Sequence, residues 1–469
     1  MASITFNRFD LGIDLRKGAS VSDANRLRAM TNAFVTTGLA TRKRPGLTHV
    51  GKLPAGTVGL SSAFGKLQVF AQGSVSIPGD LGRLVACNTL NTGAAPTAGG
   101  SALKDVHFCD PFNGQLYVVA SFANGGSAHF YNGQPVTSSG CPQTPVTAKV
   151  ASKVFAVSKD GDTVRFSSTG RATDWDTEKD AGFLPTGLNA MGDRTVCALG
   201  IYKTSLVALM RDECQIWKVD ADPSAMALAD RVQNAGTSYP KTVVNVAGDL
   251  YFLSDYGFRS ISTQIYTGNL IDIDVDVGSP IDSLVREALE QKGTAEPRAF
   301  YFYGTGQYVC IIGHSCFVYS VSRSAKIAAW SQYIFDVSID CVAQLGQVLY
   351  FRSGDDLYKF DEEAHTDGGQ QFPVLIDLPY MDFKRPGTLK HVYGIDVVCE
   401  GRCEVSMGFD SRDPDARTPA LPVSGNTRPG GIIPLECCGV EISPRIYAYN
   451  AGEFQLDAIT IYYDDLGAV

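Results

Sequence analysis

Between residues 52 and 365 the chain repeats one pattern of apolar and polar positions. Each copy is an apolar strand, a polar or glycine turn, and a second strand that carries aromatic residues. Residues 153–167 make one copy around the turn Asp160-Gly161, and residues 249–261 make another. Short polar turns between apolar runs are typical of β-hairpins. The pattern therefore predicts a succession of hairpins.

These hairpin units recur along the chain at an interval of about 40 residues, which is typical of propeller blades. The units comprise residues 66–70, 115–133, 153–167, 205–219, 249–261, 307–330 and 348–360. One small sheet cannot bury both of its faces, so such units stack around an axis. We predict an all-β fold with few helices and a β-propeller of about six blades. A single long β-sandwich is the alternative.

One helix is predicted close to the N-terminus. Ser22 or Asp23 can accept hydrogen bonds from the free N–H groups at its start. Leu27, Met30 and Phe34 then fall on one apolar face. With the strands on each side of it, this helix would form an N-terminal arm that packs outside the ring or closes it.

A second helix is predicted over residues 280–290. Ser279 is placed to cap it, and Pro280 suits the first helical position. This helix falls between two blade units and therefore looks like an insertion into the propeller.

The pattern changes near residue 370, where alternating runs without helices predict a small β-sandwich. A stretch rich in proline and glycine, residues 411–431, predicts an exposed loop within it. The predicted domains are thus an arm (1–50), a propeller (51–369) and a C-terminal sandwich (370–469).

Composition narrows the function classes. The chain has 49 acidic and 40 basic residues, a net charge of −9, so it is not a general nucleic-acid-binding protein. Its longest apolar runs fall short of the about 18 residues of a membrane-spanning helix, so no membrane insertion is expected. The twelve cysteines are scattered, and no secretory signal is recognisable at the N-terminus. That usage predicts a reducing compartment.

The best candidate for a cation site is a row of alternate carboxylates, Asp272, Asp274 and Asp276. On a strand these three side chains would share one face. A calcium loop would also need glycine at its sixth position and glutamate at its twelfth, which here are Val277 and Ser283. The sequence therefore predicts an exposed polar strand face and no metal site.

Histidine and cysteine give no stronger site. His107 and His314 each stand two residues before a cysteine, but a zinc site would need four ligands brought together. A propeller glycosidase would need two carboxylates from different blades. The carboxylates near strand ends or turns are Asp110, Asp174, Asp212, Asp255 and Asp336. Turn formation is the simpler role for them, so we predict no catalytic residue, no cofactor and no enzyme activity.

Two short motifs frame the arm: Gly12-Ile13-Asp14-Leu15-Arg16 and Arg42-Lys43-Arg44-Pro45-Gly46. Their wording resembles the N-terminus of the tail nozzle proteins (also called tail hub or packaged-DNA stabilisation proteins) of short-tailed bacteriophages. The match is close over roughly the first fifty residues and looser beyond them. Later phrases that resemble the same family, in the same order, are residues 165–175, 248–260 and 379–387.

The resemblance implies a structural protein of the virion tail, assembled in the cytoplasm of the host bacterium. Such a protein forms a homohexameric ring below the portal and adaptor rings. It contacts the tail needle and the tail fibre or tailspike proteins. It retains packaged double-stranded DNA, which it touches without sequence specificity, and later provides the ejection channel. The arm would then dock on the ring above.

Two short basic clusters are the predicted assembly interface: Arg42, Lys43, Arg44, Lys384 and Arg385. Arginine binds carboxylates in a bidentate manner, so basic patches can set the register between acidic subunits. A solvated turn is the alternative for each cluster. The alternative functions for the whole chain are a propeller scaffold for interaction or carbohydrate binding and, further away, a propeller glycoside hydrolase.

Overall fold

A computed structural model describes residues 2–20, 22–71, 75–77, 79–178, 180–267, 276–322, 324–427 and 431–468. Five strands precede the propeller. They are β1 (Ala2–Phe6), β2 (Ala29–Thr31), β3 (Ala33–Val35), β4 (Thr41–Lys43) and β5 (Gly46–Lys52). Strand β5 completes a blade of the propeller, and β2 pairs with the outer strand of another blade.

Seven blades follow one another along the described chain, each built mainly from consecutive antiparallel strands. Blade 1 comprises β6 (Val58–Ala63), β7 (Lys66–Ala71) and β8 (Val85–Thr89). Blade 2 comprises β9 (Leu103–Phe112), β10 (Gln115–Phe122), β11 (Ser127–Tyr131) and β12 (Gln134–Pro135). Blade 3 comprises β13 (Thr147–Val150), β14 (Lys153–Val157), β15 (Val164–Phe166) and β16 (Gly182–Leu184). Blade 4 comprises β17 (Ala198–Tyr202), β18 (Ser205–Leu209), β19 (Glu213–Lys218) and β20 (Ala227–Gln233). Blade 5 comprises β21 (Val244–Val246), β22 (Asp249–Ser254) and β23 (Gly257–Ser260). Blade 6 comprises β24 (Arg298–Phe302), β25 (Gln307–Ile312), β26 (Ser315–Ser322) and β27 (Ile327–Ile334). Blade 7 comprises β28 (Cys341–Leu345), β29 (Val348–Ser353) and β30 (Asp356–Asp361), and β5 is its fourth strand.

The ring closes on itself. Every pair of neighbouring blades shares an apolar cluster, including the last and the first, where Cys341 and Leu357 of blade 7 pack with Leu60 and Leu67 of blade 1. Strand β5 completes blade 7 by pairing antiparallel with β30. The prediction of an all-β propeller is confirmed.

The blade number is seven rather than six. Blade 1 is the unit that the sequence understates, because its inner strand β6 reads Val-Gly-Leu-Ser-Ser-Ala. Two serines and a glycine among six residues hide the apolar signature of a buried strand. The packing of Leu60 against its neighbours nevertheless forms the blade.

The C-terminal region is the predicted sandwich. Its strands are β31 (Val374–Asp377), β32 (Thr388–Glu400), β33 (Arg402–Gly408), β34 (Leu421–Ser424), β35 (Ile433–Gly439), β36 (Ser443–Ala448) and β37 (Gln455–Ala468). One sheet has the order β3-β4-β37-β32-β35, with β1 also paired to β37. The other, β31-β36-β33-β34, continues through β2 into blade 6. The two sheets share one apolar core.

The first fifty residues are therefore not a separate arm. Strands β1, β3 and β4 belong to one sheet of the sandwich, and β2 links the other sheet to blade 6. If this segment docks on another ring, it does so as part of these sheets and not as a free arm. Strands β1 and β4 pair with β37, and β3 pairs with β4.

The predicted N-terminal helix is wrong. The described residues between 22 and 38 include β2 and β3, separated by Asn32 with φ +53°. Leu27 and Met30 are buried as expected, but not on a helix. Met30 lies in strand β2, which pairs with β27 and β31, and Leu27 forms a bridge with Ile13. An apolar spacing of three residues fits a helical face, yet partner strands outweighed that local preference.

Helices are short and few in the described chain. They are α1 (Leu81–Leu84), α2 (Thr186–Asn189), α3 (Ile261–Thr267) and α4 (Asp282–Gln291). The helix predicted over residues 280–290 is confirmed, since a 3₁₀ turn at Ser279–Ile281 leads into α4. Its buried residues Val285 and Ala288 face the core.

The first motif folds around Gly12, which lies against blade 6. Gly12 has φ +58°, and a Cβ there would stand 2.4 Å from the carbonyl oxygen of Trp330. The next residue, Ile13, donates its N–H to the same oxygen at 2.9 Å. Only glycine fits this approach without strain.

The second motif supplies a buried arginine. Arg44 has no exposed surface, and its guanidinium lies between the rings of Phe335 and Phe372, 4.3 and 3.8 Å from their centroids. It forms a bidentate ion pair with Asp367, with Nη1–Oδ1 at 3.0 Å and Nη2–Oδ2 at 2.5 Å. Asp367 Oδ1 also accepts from the N–H of Leu47 at the start of β5.

The remaining N–H groups of Arg44 are used as well. Nε donates to Asn32 Oδ1 at 3.0 Å, Nη1 to the carbonyl of Pro45 at 3.0 Å, and Nη2 to the carbonyl of Ile334 at 2.8 Å. All five donors are thus satisfied. One side chain connects the N-terminal strands, blade 6 and the linker that enters the sandwich.

Breaking this ion pair should unfold the chain at lower denaturant. In Asp367→Asn the buried guanidinium keeps its charge and loses its carboxylate, which costs about 3–5 kcal/mol. Urea unfolding followed by circular dichroism measures the change. Asp410→Asn is the matched control, because Asp410 pairs with the highly exposed Arg412 and should leave the midpoint unmoved. Equal midpoints for the two variants would contradict the role of the pair.

Candidate functional site: the axial channel

The inner strands of six blades, with the 3₁₀ turn that precedes β21 of blade 5, line a cavity of about 350 Å³ at the propeller axis. Each blade contributes to its wall. From blade 1 to blade 7 the contributions include Leu60, His107, Thr147, Leu199, Lys241, Arg298 and Cys341. Concave sites of this size and mixed polarity are where proteins bind small ligands, so the channel is the first candidate site.

An ion-pair network spans the channel. Asp105 of blade 2 lies 2.5 Å from Lys241 Nζ of blade 5 and 3.0 Å from Arg298 Nη2 of blade 6, measured from Oδ2. Lys241 Nζ also donates to Glu296 Oε2 at 2.5 Å. In a ring of seven blades, the fifth and sixth stand opposite the second. The network is therefore a strut across the axis.

The electrostatics of the strut fix its protonation. Burial raises the pKa of Asp105, but the charges of Arg298 and Lys241 and the hydrogen bond from Lys241 outweigh burial and lower it below its ordinary value. Burial lowers the pKa of the neighbouring His107, and the charge of Lys241 lowers it further. At neutral pH the channel thus holds an ionised Asp105 and an uncharged His107.

His107 keeps one polar atom unused. Among the described residues, no hydrogen-bond partner reaches its Nε2, although that atom is buried. On the same wall, the thiol of Cys341 accepts from Arg298 Nη1 at 3.4 Å and from Arg352 Nη2 at 3.9 Å. The channel can accommodate a small polar molecule beside the strut, but the strut blocks passage along the axis.

The strut could not be read from the sequence. Lys241 and Arg298 are 136 and 193 residues away from Asp105 along the chain. Each is a single charge in or beside a blade's inner strand, and only the closure of the ring brings them together. An isolated charge at the inner strand of a blade unit was the one available signal.

The predicted basic interface divides into buried and exposed residues. Lys43 and Arg44 are 3% and 0% exposed. Lys43 Nζ donates to the carbonyl of Asn450 at 2.7 Å and lies over the ring of Phe372. The folded chain therefore does not present these two charges to a partner.

Arg42, Lys384 and Arg385 are on the surface. Arg42 Nη2 pairs with Glu453 at 2.5 Å, and Arg385 Nη1 pairs with Asp465 at 2.9 Å. Glu453 lies just before the start of strand β37, and Asp465 lies about ten residues further along that strand. The two acidic partners are therefore roughly 33 Å apart. The structure does not bring the two basic clusters together, and the assembly role of the three exposed residues stays a prediction.

Three of the five carboxylates weighed for a glycosidase have partners in the fold. Asp110 pairs with Lys149, and Asp255 pairs with Arg211. Asp174 accepts from the backbone N–H of Asp176 and Thr177, which is the geometry of a turn former.

The candidate cation row is only partly described, since Asp272 and Asp274 lie outside the described residues. Asp276 forms an ion pair with Arg259 Nε at 2.6 Å. Within the described part of the chain, no group of three or more potential ligands could hold a metal ion, and no helix is long and apolar enough to cross a membrane. All twelve cysteines are free thiols.

Comparison with known proteins gives distant likenesses of structure alone. No family model and no curated protein matches the chain. Solved structures that resemble it include BamB from Moraxella catarrhalis (TM-score 0.38, 10% identity, 68% of this chain and 99% of that one). Virginiamycin B lyase from Staphylococcus aureus has a TM-score of 0.30 and 8% identity, with 57% and 89% covered. BBS1N in its complex with ARL6DN has a TM-score of 0.34 and 8% identity, with 68% and 97% covered. The propeller assignment depends on the ring of seven sheets in the chain itself.

Removing the central carboxylate should weaken the propeller. Asp105→Asn leaves Lys241 paired with Glu296 alone and takes the carboxylate away from Arg298, which we expect to lower the free energy of unfolding by about 3 kcal/mol. Asp110→Asn is the control on the same strand β9, because its pair with Lys149 is half-exposed and contributes about 0–1 kcal/mol. Urea unfolding at pH 7 measures both. Equal losses would show that the strut does not stabilise the ring.

Lys43 should make stability depend on pH in the alkaline range. Burial, with the neighbouring charge of Arg44, lowers its pKa from 10.5 to about 8. Between these values the unfolded chain binds a proton that the folded chain has lost, so folding becomes more favourable as pH rises. The stability of the wild type relative to Lys43→Met should therefore rise by about 3 kcal/mol between pH 7.5 and 10.5.

The difference between the two proteins is the quantity to follow, because buried tyrosines also titrate at high pH and act equally in both. Urea midpoints at four pH values would suffice. A constant difference across the range would contradict a buried, charged Lys43.

Proposed function

We propose that this protein is a structural subunit of the tail nozzle of a short-tailed bacteriophage. One observation carries the proposal. The two motifs that carry the family resemblance meet at the junction of propeller and sandwich, where Gly12 lies against blade 6 and Arg44 pairs with Asp367. Because the fold requires these residues at these buried positions, their resemblance to the nozzle family supports a shared fold more strongly than a resemblance of exposed residues would.

The bridged channel constrains how such a nozzle would conduct DNA. The strut from Asp105 to Lys241 and Arg298 closes the propeller axis, and the cavity of about 350 Å³ is far too small for a duplex. In the proposed nozzle the conduit therefore runs between subunits. A homohexameric ring in which each propeller forms one wall meets that requirement.

The surface charges suit a passage of this kind. The chain carries a net charge of −9, and two of its most basic motif residues, Lys43 and Arg44, are buried. A wall with few free cations repels the phosphate backbone and binds it weakly. DNA would slide along such a wall without being held.

Assembly is the test of the proposal. The full chain should form a ring with the portal and adaptor proteins of the parent phage, visible as a closed oligomer by native mass spectrometry and by electron microscopy of the complex. Isolated subunits are expected to be monomers before assembly. A chain that remains monomeric in the presence of both partners would overturn the nozzle.

The exposed basic residues give a sharper version of the test. Charge reversal of Arg42, Lys384 and Arg385 to glutamate should abolish ring formation while the monomer keeps its unfolding midpoint. The matched control reverses Arg83, Lys159 and Arg412, which are exposed and outside the two clusters. If both triple variants assemble equally well, Arg42, Lys384 and Arg385 are not the interface, and the proposal of a ring is unaffected.

A further inference from the structure

A second, open groove lies on one face of the propeller, away from the axial cavity. It has a volume of about 690 Å³ and lies between blades 4 and 5. Arg211 reaches it from the turn between β18 and β19, and Tyr256 from the corresponding turn between β22 and β23. Helix α4, inserted before blade 6, forms the opposite wall with Arg286 and Glu290.

Tyr256 dominates this groove. Its side chain belongs to a residue that is 76% exposed, although it projects from a short turn in the middle of a blade. The ring lies beside the charged side chains of the groove, so a ligand bound here would meet one apolar face among polar groups.

The turn that carries Tyr256 is rigid. Ser254 Oγ accepts from the N–H of Tyr256 at 3.1 Å and donates to the carbonyl of Gly257 at 2.8 Å. Gly257 has φ +130°, and a Cβ there would stand 2.0 Å from Asp282 Oδ1 at the start of α4. The turn and the helix are thus fitted to each other at a position that only glycine can occupy.

Arg259 also holds this turn in place, through a hydrogen bond to its backbone and ion pairs next to it. Its Nη2 donates to the carbonyl of Tyr256 at 3.3 Å, and its guanidinium pairs with Asp276 at 2.6 Å and Asp282 at 3.3 Å. Binding on Tyr256 therefore requires little ordering of the protein, which favours affinity.

Polar groups converge beside the ring. Arg211 Nε donates to Asp255 Oδ2 at 3.0 Å, and Ser238 Oγ donates to the same oxygen at 3.3 Å. This arrangement leaves Arg211 Nη1 and Nη2 and Asp255 Oδ1 without a protein partner among the described residues. A planar donor pair and an acceptor thus lie side by side, already oriented.

The charges of the groove balance. Arg211 and Arg286 face Asp255 and Glu290, and the two residues on α4 form no ion pair within the described chain. A phosphate or a nucleic acid would meet two carboxylates, so an anionic ligand is disfavoured. A neutral ligand with adjacent hydroxyl groups satisfies both the donors and the acceptors.

We propose that this groove binds a neutral oligosaccharide, with one pyranose ring stacked on Tyr256 and its hydroxyl groups hydrogen-bonded to Arg211 and Asp255. The C–H face of a pyranose matches an aromatic ring, and vicinal hydroxyl groups match the spacing of a guanidinium and a carboxylate. This inference does not depend on the nozzle proposal.

An array of neutral glucan, galactan, mannan and N-acetylglucosamine oligomers, probed with the full chain, tests the site. At least one class should bind, and isothermal titration with the corresponding trisaccharide then gives the affinity. Tyr256→Ala should weaken that affinity at least tenfold, Tyr256→Phe should retain it, and Arg211→Gln should weaken it.

Tyr303→Ala is the matched control, because Tyr303 is 71% exposed in a turn of another blade and should not affect binding. Dextran sulfate is the anionic comparison and should bind more weakly than neutral dextran. An array without any binding, an unchanged affinity in Tyr256→Ala, or preference for the sulfated polymer would overturn the proposal. Unchanged circular dichroism of Tyr256→Ala shows that a loss comes from the site.

Discussion

The buried ion pair between Arg44 and Asp367 is the interaction on which the rest of the molecule depends. A guanidinium without exposed surface is tolerated only when every N–H group finds an acceptor, and here all five do. Its partners come from both ends of the propeller segment and from blade 6. Propeller and sandwich are therefore coupled in one polar junction, surrounded by the aromatic rings of Phe335 and Phe372.

Two kinds of closure make the ring stable. Apolar clusters between successive blades act locally and are distributed evenly around the axis. Strand β5 and the strut from Asp105 act over long distances and join parts of the chain that sequence separates widely. The first kind follows from hydrophobic patterning, whereas the second needs specific polar partners. Polar contacts also fix the turn that carries the aromatic side chain of Tyr256 on the surface, although they play no part in closing the propeller.

The sequence predicted what local patterning controls. Hairpins made of apolar strands around short polar turns, and the helix over residues 280–290, were recognisable because neighbouring residues determine them. The helix proposed around Leu27 failed because strands β27 and β31, far along the chain, determine that segment. The strut was missed for the same reason. Of the predicted basic interface, Lys43 and Arg44 read as surface residues because clustered charge usually is solvated, and only the fold reveals their buried carboxylate and carbonyl partners.

The pairing of β5 with β30 has a consequence for how the chain is made. Thr48 and its hydrogen-bond partner Asp361 are 313 residues apart, so β5 has no strand to pair with until β30 has been synthesised, when nearly four-fifths of the protein is made. At about 5–20 residues per second, the N-terminal strands wait on the ribosome for tens of seconds with unpaired edges. Until β30 is made, blade 7 cannot take β5 as its outer strand, and the ring of seven blades cannot close.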